Sequence, residues 1–132
     1  MTAQAPLPNA DTNLPLIDRN HLSTMTGGDA ELAQEIIEIF REQADIWARM
    51  LDPSAPPQHW ADAAHSLKGA ALSLGASDLA SVCATAETLG RREPAPSKPE
   101  AAVALSDIKD ALGSALEAAA HLGHEISRTG KI

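Results

Sequence analysis

Residues 60–75, WADAAHSLKGAALSLG, show most clearly how this chain folds. Apolar residues recur in this stretch at helical spacing, and each residue of a helix advances about 100° around the axis. The spacing predicts one buried seam, formed by Trp60, Ala63, Leu67, Ala70 or Ala71, and Leu74. On the same projection His65 points almost directly away from that seam. The stretch therefore predicts an amphipathic helix with a histidine on its outer face.

The outer face of this helix carries an unusual set of residues around His65. Small residues and an exposed Leu72 stand where a solvated helix normally has long charged side chains. Gly69, one turn beyond the histidine, costs a helix interior about 1 kcal/mol relative to Ala. Such a surface would let the backbone of another protein come close. The predicted docking residues are Ala61, Ala64 and Leu72, beside Lys68 and Gly69.

The chemistry that fits His65 is nucleophilic attack on phosphorus. A neutral imidazole, with a reference pKa of about 6.5, can attack through one ring nitrogen near neutral pH without further activation. Lys68, three residues further on, can place its ammonium group against phosphoryl oxygens. Gly69 leaves open the volume that a phosphoryl group and an incoming active site would share. The alternative is an ordinary surface histidine, which the neighbouring Lys68 and Gly69 disfavour.

A long helix is predicted from residue 29 to about residue 51, with one polar residue in its apolar seam. The seam is spaced by four and three residues as Leu32, Ile36, Ile39, Gln43, Ile46 and Met50. A second apolar stripe flanks it, formed by Ala33, Ile37, Phe40, Ala44, Trp47 and Leu51, and the two stripes together predict a wide buried face. An unsatisfied amide in a buried seam would cost about 1 to 3 kcal/mol, so Gln43 needs a polar partner. We predict that its side chain reaches toward His65 and helps to orient the ring. The alternative is an amide that backbone groups or water satisfy.

The rest of the chain predicts an all-α fold. A short helix capped by Asp18 should end at Gly27-Gly28, and Ser77 or Asp78 should cap a third long helix. A fourth long helix is predicted over about residues 98–127. Four long amphipathic helices with short connections predict an antiparallel up-down-up-down four-helix bundle with a short extra N-terminal helix.

Domain organisation follows from the same pattern. Residues 1–16 contain three prolines among small polar residues and predict a flexible tail. Residues 17–132 then form one bundle domain, which we expect to be a monomer.

Composition and charge narrow the classes of function. The formal net charge of −8 disfavours nucleic acid as a partner, because binding a phosphate backbone requires a basic face. The single cysteine, Cys83, cannot form an internal disulfide and is interpreted as a small buried hydrophobe, which favours a reducing compartment. No apolar stretch approaches the ~20 residues that a membrane span needs, and the first residues do not resemble a signal peptide. We therefore expect a cytoplasmic protein that binds other proteins and no membrane.

A set of spaced residues resembles the signature of the histidine-containing phosphotransfer (HPt) domain family. That signature reads His-x-Leu-Lys-Gly, several small residues, then Gly-Ala, a Leu, a Cys and a Glu. The matching residues are His65-Ser66-Leu67-Lys68-Gly69, Gly75-Ala76, Leu79, Cys83 and Glu87. Ile37, Phe40, Gln43 and Ala44 are similar to that family's second helix. The resemblance covers residues 17 to about 127.

The resemblance implies a role for each residue of the site. His65 would be the phosphoacceptor, Lys68 its charge partner, Gln43 a hydrogen-bonding neighbour and Gly69 the clearance residue. The chain would relay phosphoryl groups to and from response-regulator receiver domains and a hybrid histidine kinase, without ATP-dependent kinase activity of its own. It would bind no cofactor or metal, because the Mg²⁺ that transfer requires lies in the acidic pocket of the receiver.

Three alternatives stay open. A docking regulator would bind receivers or kinases without carrying phosphate, and it would not need an intact His-Lys-Gly triplet. A metal site would use the His-containing pairs Asp62-x-x-His65 or His121-x-x-His124, but the first pair faces away from the predicted core. A fragment of a histidine kinase would need an ATP-binding domain, which 132 residues cannot supply alongside this bundle.

Overall fold

Every regular element within residues 16–132, the part of the chain that the computed structural model describes, is an α-helix. The helices are α1 (Arg19–Thr26), α2 (Ala30–Met50), α3 (Pro57–Leu74), α4 (Ser77–Gly90) and α5 (Lys98–Thr129). The predicted all-α class is confirmed, as is the short helix that precedes the four long ones. The predicted tail lies outside the described residues except for Leu16.

The four long helices contact one another in a ring. α2 packs against α3, α3 against α4, α4 against α5, and α5 against α2, while the short α1 packs on α2 and α3. The backbone N–H of Asp18, just before α1, donates to the Gly75 carbonyl just after α3, at 2.9 Å. This bond ties the start of α1 to the end of the helix that carries His65. The up-down-up-down order of the helices stays a prediction from their short connections.

The ends of α1 and α2 follow from local backbone chemistry. The Asp18 side chain accepts a hydrogen bond from the His21 N–H, and the Asp29 side chain accepts one from the Leu32 N–H. Both bonds satisfy donors that the first turn of a helix leaves unpaired. Gly27 ends α1 with a φ of 64°, a left-handed conformation that favours glycine. The predicted cap and end of α1 are confirmed.

The turn between α3 and α4 differs from the prediction. Neither Ser77 nor Asp78 caps α4, because the N-cap is Ala76 and no side chain caps this end. The Ala76 N–H donates back to the Ala71 carbonyl at 2.8 Å and closes the end of α3. The chain therefore leaves one helix and enters the next within two residues, Gly75 and Ala76, and the hydroxyl and carboxyl residues fall inside the first turn of α4.

The buried face of α2 also differs from the prediction. Leu32, Ile39, Ile46 and Met50 are 40 to 57% exposed, and Gln43 on the same stripe is exposed. The second predicted stripe is buried, with Ala33, Ile37, Phe40 and Ala44 in the core. Two adjacent stripes of α2 are apolar, and the stripe with small alanines allows α2 to approach its neighbours closely. Of the wide buried face that the sequence predicts, the second stripe is confirmed and the first is wrong, so α2 presents an apolar stripe on its outer side.

α5 is the longest helix and forms one wall of the bundle. Its predicted seam is confirmed, with Leu105, Ile108, Leu112, Ala115, Ala119 and Leu122 all buried. Ser97 begins the helix with a capping box, in which the Ser97 side chain and the Glu100 side chain each bond the backbone N–H of the other. No helix within residues 16–132 combines the length and the apolar character that crossing a bilayer requires.

The contact between α3 and α4 is close because Gly90 faces Trp60. Trp60 is fully buried, and a Cβ atom built on Gly90 would lie 2.7 Å from its ring and 2.8 Å from the Cβ of Ala61. Such distances are shorter than packed side chains tolerate, so the tryptophan fills the space that glycine leaves.

Gly90→Ala should therefore destabilise the bundle. The added methyl group forces Trp60 or the backbone to move, and we expect the free energy of unfolding to fall by about 1–3 kcal/mol. Gly69→Ala is the matched control, because a Cβ there meets no atom within 4 Å. It should raise the same free energy by up to about 1 kcal/mol through helix propensity. Urea unfolding followed by circular dichroism measures both, and equal stabilities of the two variants would contradict the packing argument.

Candidate functional site

His65 stands on the outer face of α3, as the sequence predicts. Its side chain is 62% exposed, whereas Leu67 and Leu74 on the opposite face are fully buried. The imidazole therefore projects toward solvent from a helix whose position is fixed by the core. A partner molecule can reach the ring without any opening of the bundle.

Glu87 of α4 holds one edge of this ring. Its carboxylate accepts a hydrogen bond from Nδ1 of His65 at 2.9 Å and another from Nζ of Lys68 at 2.8 Å. The Glu87 side chain is only 16% exposed, while that of Lys68 is 29% exposed. One half-buried carboxylate thus joins the two α3 residues that the sequence predicts to act together.

The protonation state of Glu87 decides which ring nitrogen is free. The hydrogen bond from Lys68, with a smaller contribution from that of His65, lowers the pKa of Glu87 to about 2. At neutral pH the group is a carboxylate, which accepts hydrogen bonds and has no proton to donate. Nδ1 of His65 must therefore carry the hydrogen, and Nε2 keeps its lone pair. The nitrogen that can act as a nucleophile is Nε2, on the side of the ring away from Glu87.

Arg91 and Asp62 extend the network along the same surface. The Arg91 guanidinium donates to Oδ1 of Asp62 at 3.0 Å and to Oε2 of Glu87 at 3.5 Å. The pKa of Arg91 is raised, first by the hydrogen bond to Asp62. The charged groups alternate in sign, so each carboxylate of the row has a cationic partner.

An open groove lies beside Glu87 on the α4 side of the site. It is lined by Lys68, Ala84, Glu87, Thr88, Arg91 and Arg92. Three of these residues are cationic and one is anionic, so the groove favours a negatively charged group.

Cys83 lies in the core, one turn before Glu87 on α4, and is fully buried. Burial raises the pKa of its thiol to about 12, so the sulfur is protonated at neutral pH and unreactive as a nucleophile. The prediction of a small buried hydrophobe is confirmed.

Two of the three predicted docking residues are not accessible. Ala61 and Ala64 are fully buried, so the prediction that they contact a partner is wrong. The reason is that α3 packs against α2 on one side and α4 on the other, which makes its buried face wider than a single seam. Leu72 is 54% exposed and Gly69 is exposed, so the accessible part of α3 lies around and beyond His65.

Gln43 does not orient the ring. Within residues 16–132 it makes no hydrogen bond to His65, whose Nδ1 is bonded to Glu87 instead. The amide is exposed on the outer stripe of α2, so it carries no burial cost that a partner must offset. The prediction rested on the wrong stripe of α2 being buried.

Glu87 and Arg91 are the site residues that the sequence prediction missed. Glu87 matched the HPt signature without being assigned a role. One signal was available, because Glu87 is the only charged residue between Leu79 and Gly90. Arg91 follows at the i+4 position, where opposite charges meet on a helix.

The lowered pKa of Glu87 has a consequence for stability. Because this pKa lies below that of the unfolded chain, the ionised carboxylate stabilises the fold above pH about 4.5, and this contribution is lost as the pH falls toward about 2. The difference in unfolding free energy between wild type and Glu87→Gln should follow that window. Urea unfolding at a series of pH values measures it. Lys68→Met should shrink the same difference, and a difference that does not change with pH would contradict the assignment.

Two comparisons with known proteins each cover most of the chain. The family model of the Hpt domain matches residues 30–121. The crystal structure of the histidine phosphotransferase ShpA from Caulobacter crescentus is similar, with 34% sequence identity and a TM-score of 0.68. That match covers 87% of this chain and 97% of the other. No curated protein matches the sequence. The helical bundle carries an exposed histidine, the family model matches most of the chain, and a similar structure is that of a histidine phosphotransferase. The chain therefore belongs to the Hpt domain family.

Proposed function

We propose that this chain carries a phosphoryl group on Nε2 of His65 and exchanges it with aspartates of receiver domains. The hydrogen bond between Nδ1 of His65 and Glu87 is the observation that carries the proposal. It leaves the lone pair of Nε2 on an exposed side chain that faces away from the core. Membership of the Hpt domain family supports a phosphotransfer role in two-component signalling.

The transfer step uses the Glu87 carboxylate as a fixed counter-charge. The Nε2 lone pair attacks the phosphorus of a receiver's aspartyl phosphate, a P–N bond forms, and the P–O bond breaks to release the aspartate carboxylate. The imidazole gains positive charge in this step, while Nδ1 keeps its hydrogen. Glu87 lies 2.9 Å from that nitrogen and stabilises the charge. The reverse step follows the same path, because a phosphoramidate and an acyl phosphate are both high in energy.

Lys68 is placed to neutralise the phosphoryl oxygens. It lies one turn beyond His65 on the same face of α3, and its ammonium group is bonded to Glu87 at 2.8 Å. A lysine has three donors on a flexible stem, so one ammonium group can keep Glu87 and also contact a phosphoryl oxygen. Mg²⁺ would come with the receiver, whose acidic pocket holds it, and the chain itself acts as a carrier rather than a kinase.

Gly69 keeps the approach to the phosphoryl group open. It is exposed, and a Cβ atom at this position would meet no atom of the bundle within 4 Å. Packing within the domain therefore gives no reason for a glycine that weakens the helix. The need for a partner to bring its own active site close to His65 does give a reason for glycine at this position.

The docking face that we propose combines α3 with the outer stripe of α2. Gln43 lies seven residues before the end of α2, and His65 lies eight residues after the start of α3. Since six residues connect these two packed helices, both positions stand at nearly the same height in the bundle. Exposed Ile39 and Ile46 flank Gln43, and exposed Leu72 lies beyond the histidine. If α2 and α3 run antiparallel, as the short connection predicts, we expect these residues to face a partner together as an apolar surface of the kind that protein interfaces use.

A labelling experiment tests the proposal. Wild type should take up phosphate from phosphoramidate, a small-molecule donor, and from a phosphorylated receiver with Mg²⁺, and the label should be acid-labile and alkali-stable. His65→Asn should take up none. His59→Asn is the matched control, because His59 is an exposed histidine of the same helix, and it should be labelled like wild type.

Two results of this labelling experiment would contradict the proposal. Label on His65→Asn equal to that on wild type would place the acceptor elsewhere. A folded wild-type protein that binds receivers but takes no label from either donor would make the chain a docking regulator instead.

A further inference from the structure

Asp62 poses an electrostatic problem for the proposed function. It lies three residues before His65 and therefore on the same face of α3. A carboxylate at that position repels an incoming phosphoryl group. Its contact with Arg91 of α4, at 3.0 Å, shows what it does in the unphosphorylated chain.

The Arg91 guanidinium is linked to His65 through the Glu87 carboxylate. It spans from Asp62 to Glu87, and the Glu87 oxygen that it contacts is the same oxygen that bonds Nδ1 of the histidine. Arginine has five N–H donors in a planar fork that matches phosphate geometry. Only two of those donors are used here, and the side chain is 37% exposed. Arg91 is thus a phosphate-binding group already placed at the edge of the groove.

The balance of charge changes when His65 carries a phosphoryl group. Before transfer, two carboxylates, Asp62 and Glu87, face two cations, Lys68 and Arg91. The phosphoryl group adds about two negative charges, and the positive charge that the ring gains offsets only one of them, so the site becomes anionic. The phosphoryl group is stabilised if one carboxylate gives up its cation to it.

The structure shows which carboxylate can do so. Glu87 is held by His65, Lys68 and Arg91 and is 16% exposed, so releasing it would also release the ring. Asp62 is 61% exposed, and Arg91 is its only bonded partner within residues 16–132. An exposed ion pair of this kind is weak, and water can solvate the released carboxylate.

We propose that Asp62 binds the Arg91 guanidinium while His65 is unphosphorylated. The phosphoryl group on His65 then displaces Asp62 and binds the Arg91 guanidinium in its place. This rests on the proposed function of His65. Arg91 then binds the phosphoryl group, and Asp62 is a positioning residue that sets how strongly it does so. By competing for Arg91, Asp62 keeps the phosphohistidine from becoming too stable to return its phosphoryl group to a receiver.

The equilibrium of transfer is the measurement that tests this. Wild type and variants are loaded with phosphoramidate and mixed with a receiver domain and Mg²⁺, and the ratio of label on the chain to label on the receiver is read at equilibrium. Docking changes the rate of exchange but not this ratio. Asp62→Asn should shift the ratio toward the chain by about two- to fivefold, the factor expected for an exposed ion pair. Asp62→Glu should restore the wild-type ratio.

A double-variant cycle separates competition for Arg91 from simple charge repulsion. Arg91→Gln alone should shift the ratio toward the receiver, and in that background Asp62→Asn should lose most of its effect. Asp110→Asn, an exposed residue of α5, removes the same charge far from the network along the chain and should leave the ratio unchanged.

Two results would overturn the proposal and are distinguishable from failure of the phosphotransfer function. A labelled chain whose ratio does not respond to Asp62→Asn would show that Asp62 only ties α3 to α4. If Asp62→Asn has an equally large effect in the Arg91→Gln background, Asp62 acts only by repelling the phosphoryl group. Absence of label on wild type would remove the phosphoacceptor and this proposal together.

Discussion

The hydrogen bond between Nδ1 of His65 and the Glu87 carboxylate is the contact on which the chemistry of this surface depends. It assigns the hydrogen to one ring nitrogen and leaves the other as a nucleophile. It depends on the close packing of α3 against α4, and Gly90 against Trp60 permits that close approach. The core therefore determines the geometry of the site, although the reacting nitrogen lies in solvent.

Most of the fold could be predicted from the sequence because its signals are local. Helical periodicity, the Asp18 cap and Gly27 depend on residues within one or two turns, and they place all five helices correctly. The burial of each helix face depends on its neighbours. α2 offers two adjacent apolar stripes, and periodicity alone cannot say which one the bundle covers. The same limit explains why Ala61 and Ala64 were expected at the surface.

The site was predictable in part for a similar reason. His65, Lys68 and Gly69 share one face of one helix, so their spacing in the sequence is enough to predict that they lie close together in the fold. Glu87 and Arg91 arrive from another helix, and no local rule says which α4 residues face the histidine. The result is a site whose nucleophile is visible in the sequence, while the groups that orient and balance it become visible only in the bundle.

The most direct test of this account is the position of the phosphoryl group on the ring. Wild type labelled with ¹⁵N-histidine and loaded with phosphoramidate shows by ³¹P and ¹⁵N NMR which nitrogen is bonded to phosphorus and which carries hydrogen. The account predicts phosphorus on Nε2 of His65 and hydrogen on Nδ1, both before and after loading. Phosphorus on Nδ1, or hydrogen on Nε2 in the unloaded protein, would contradict the role given to Glu87.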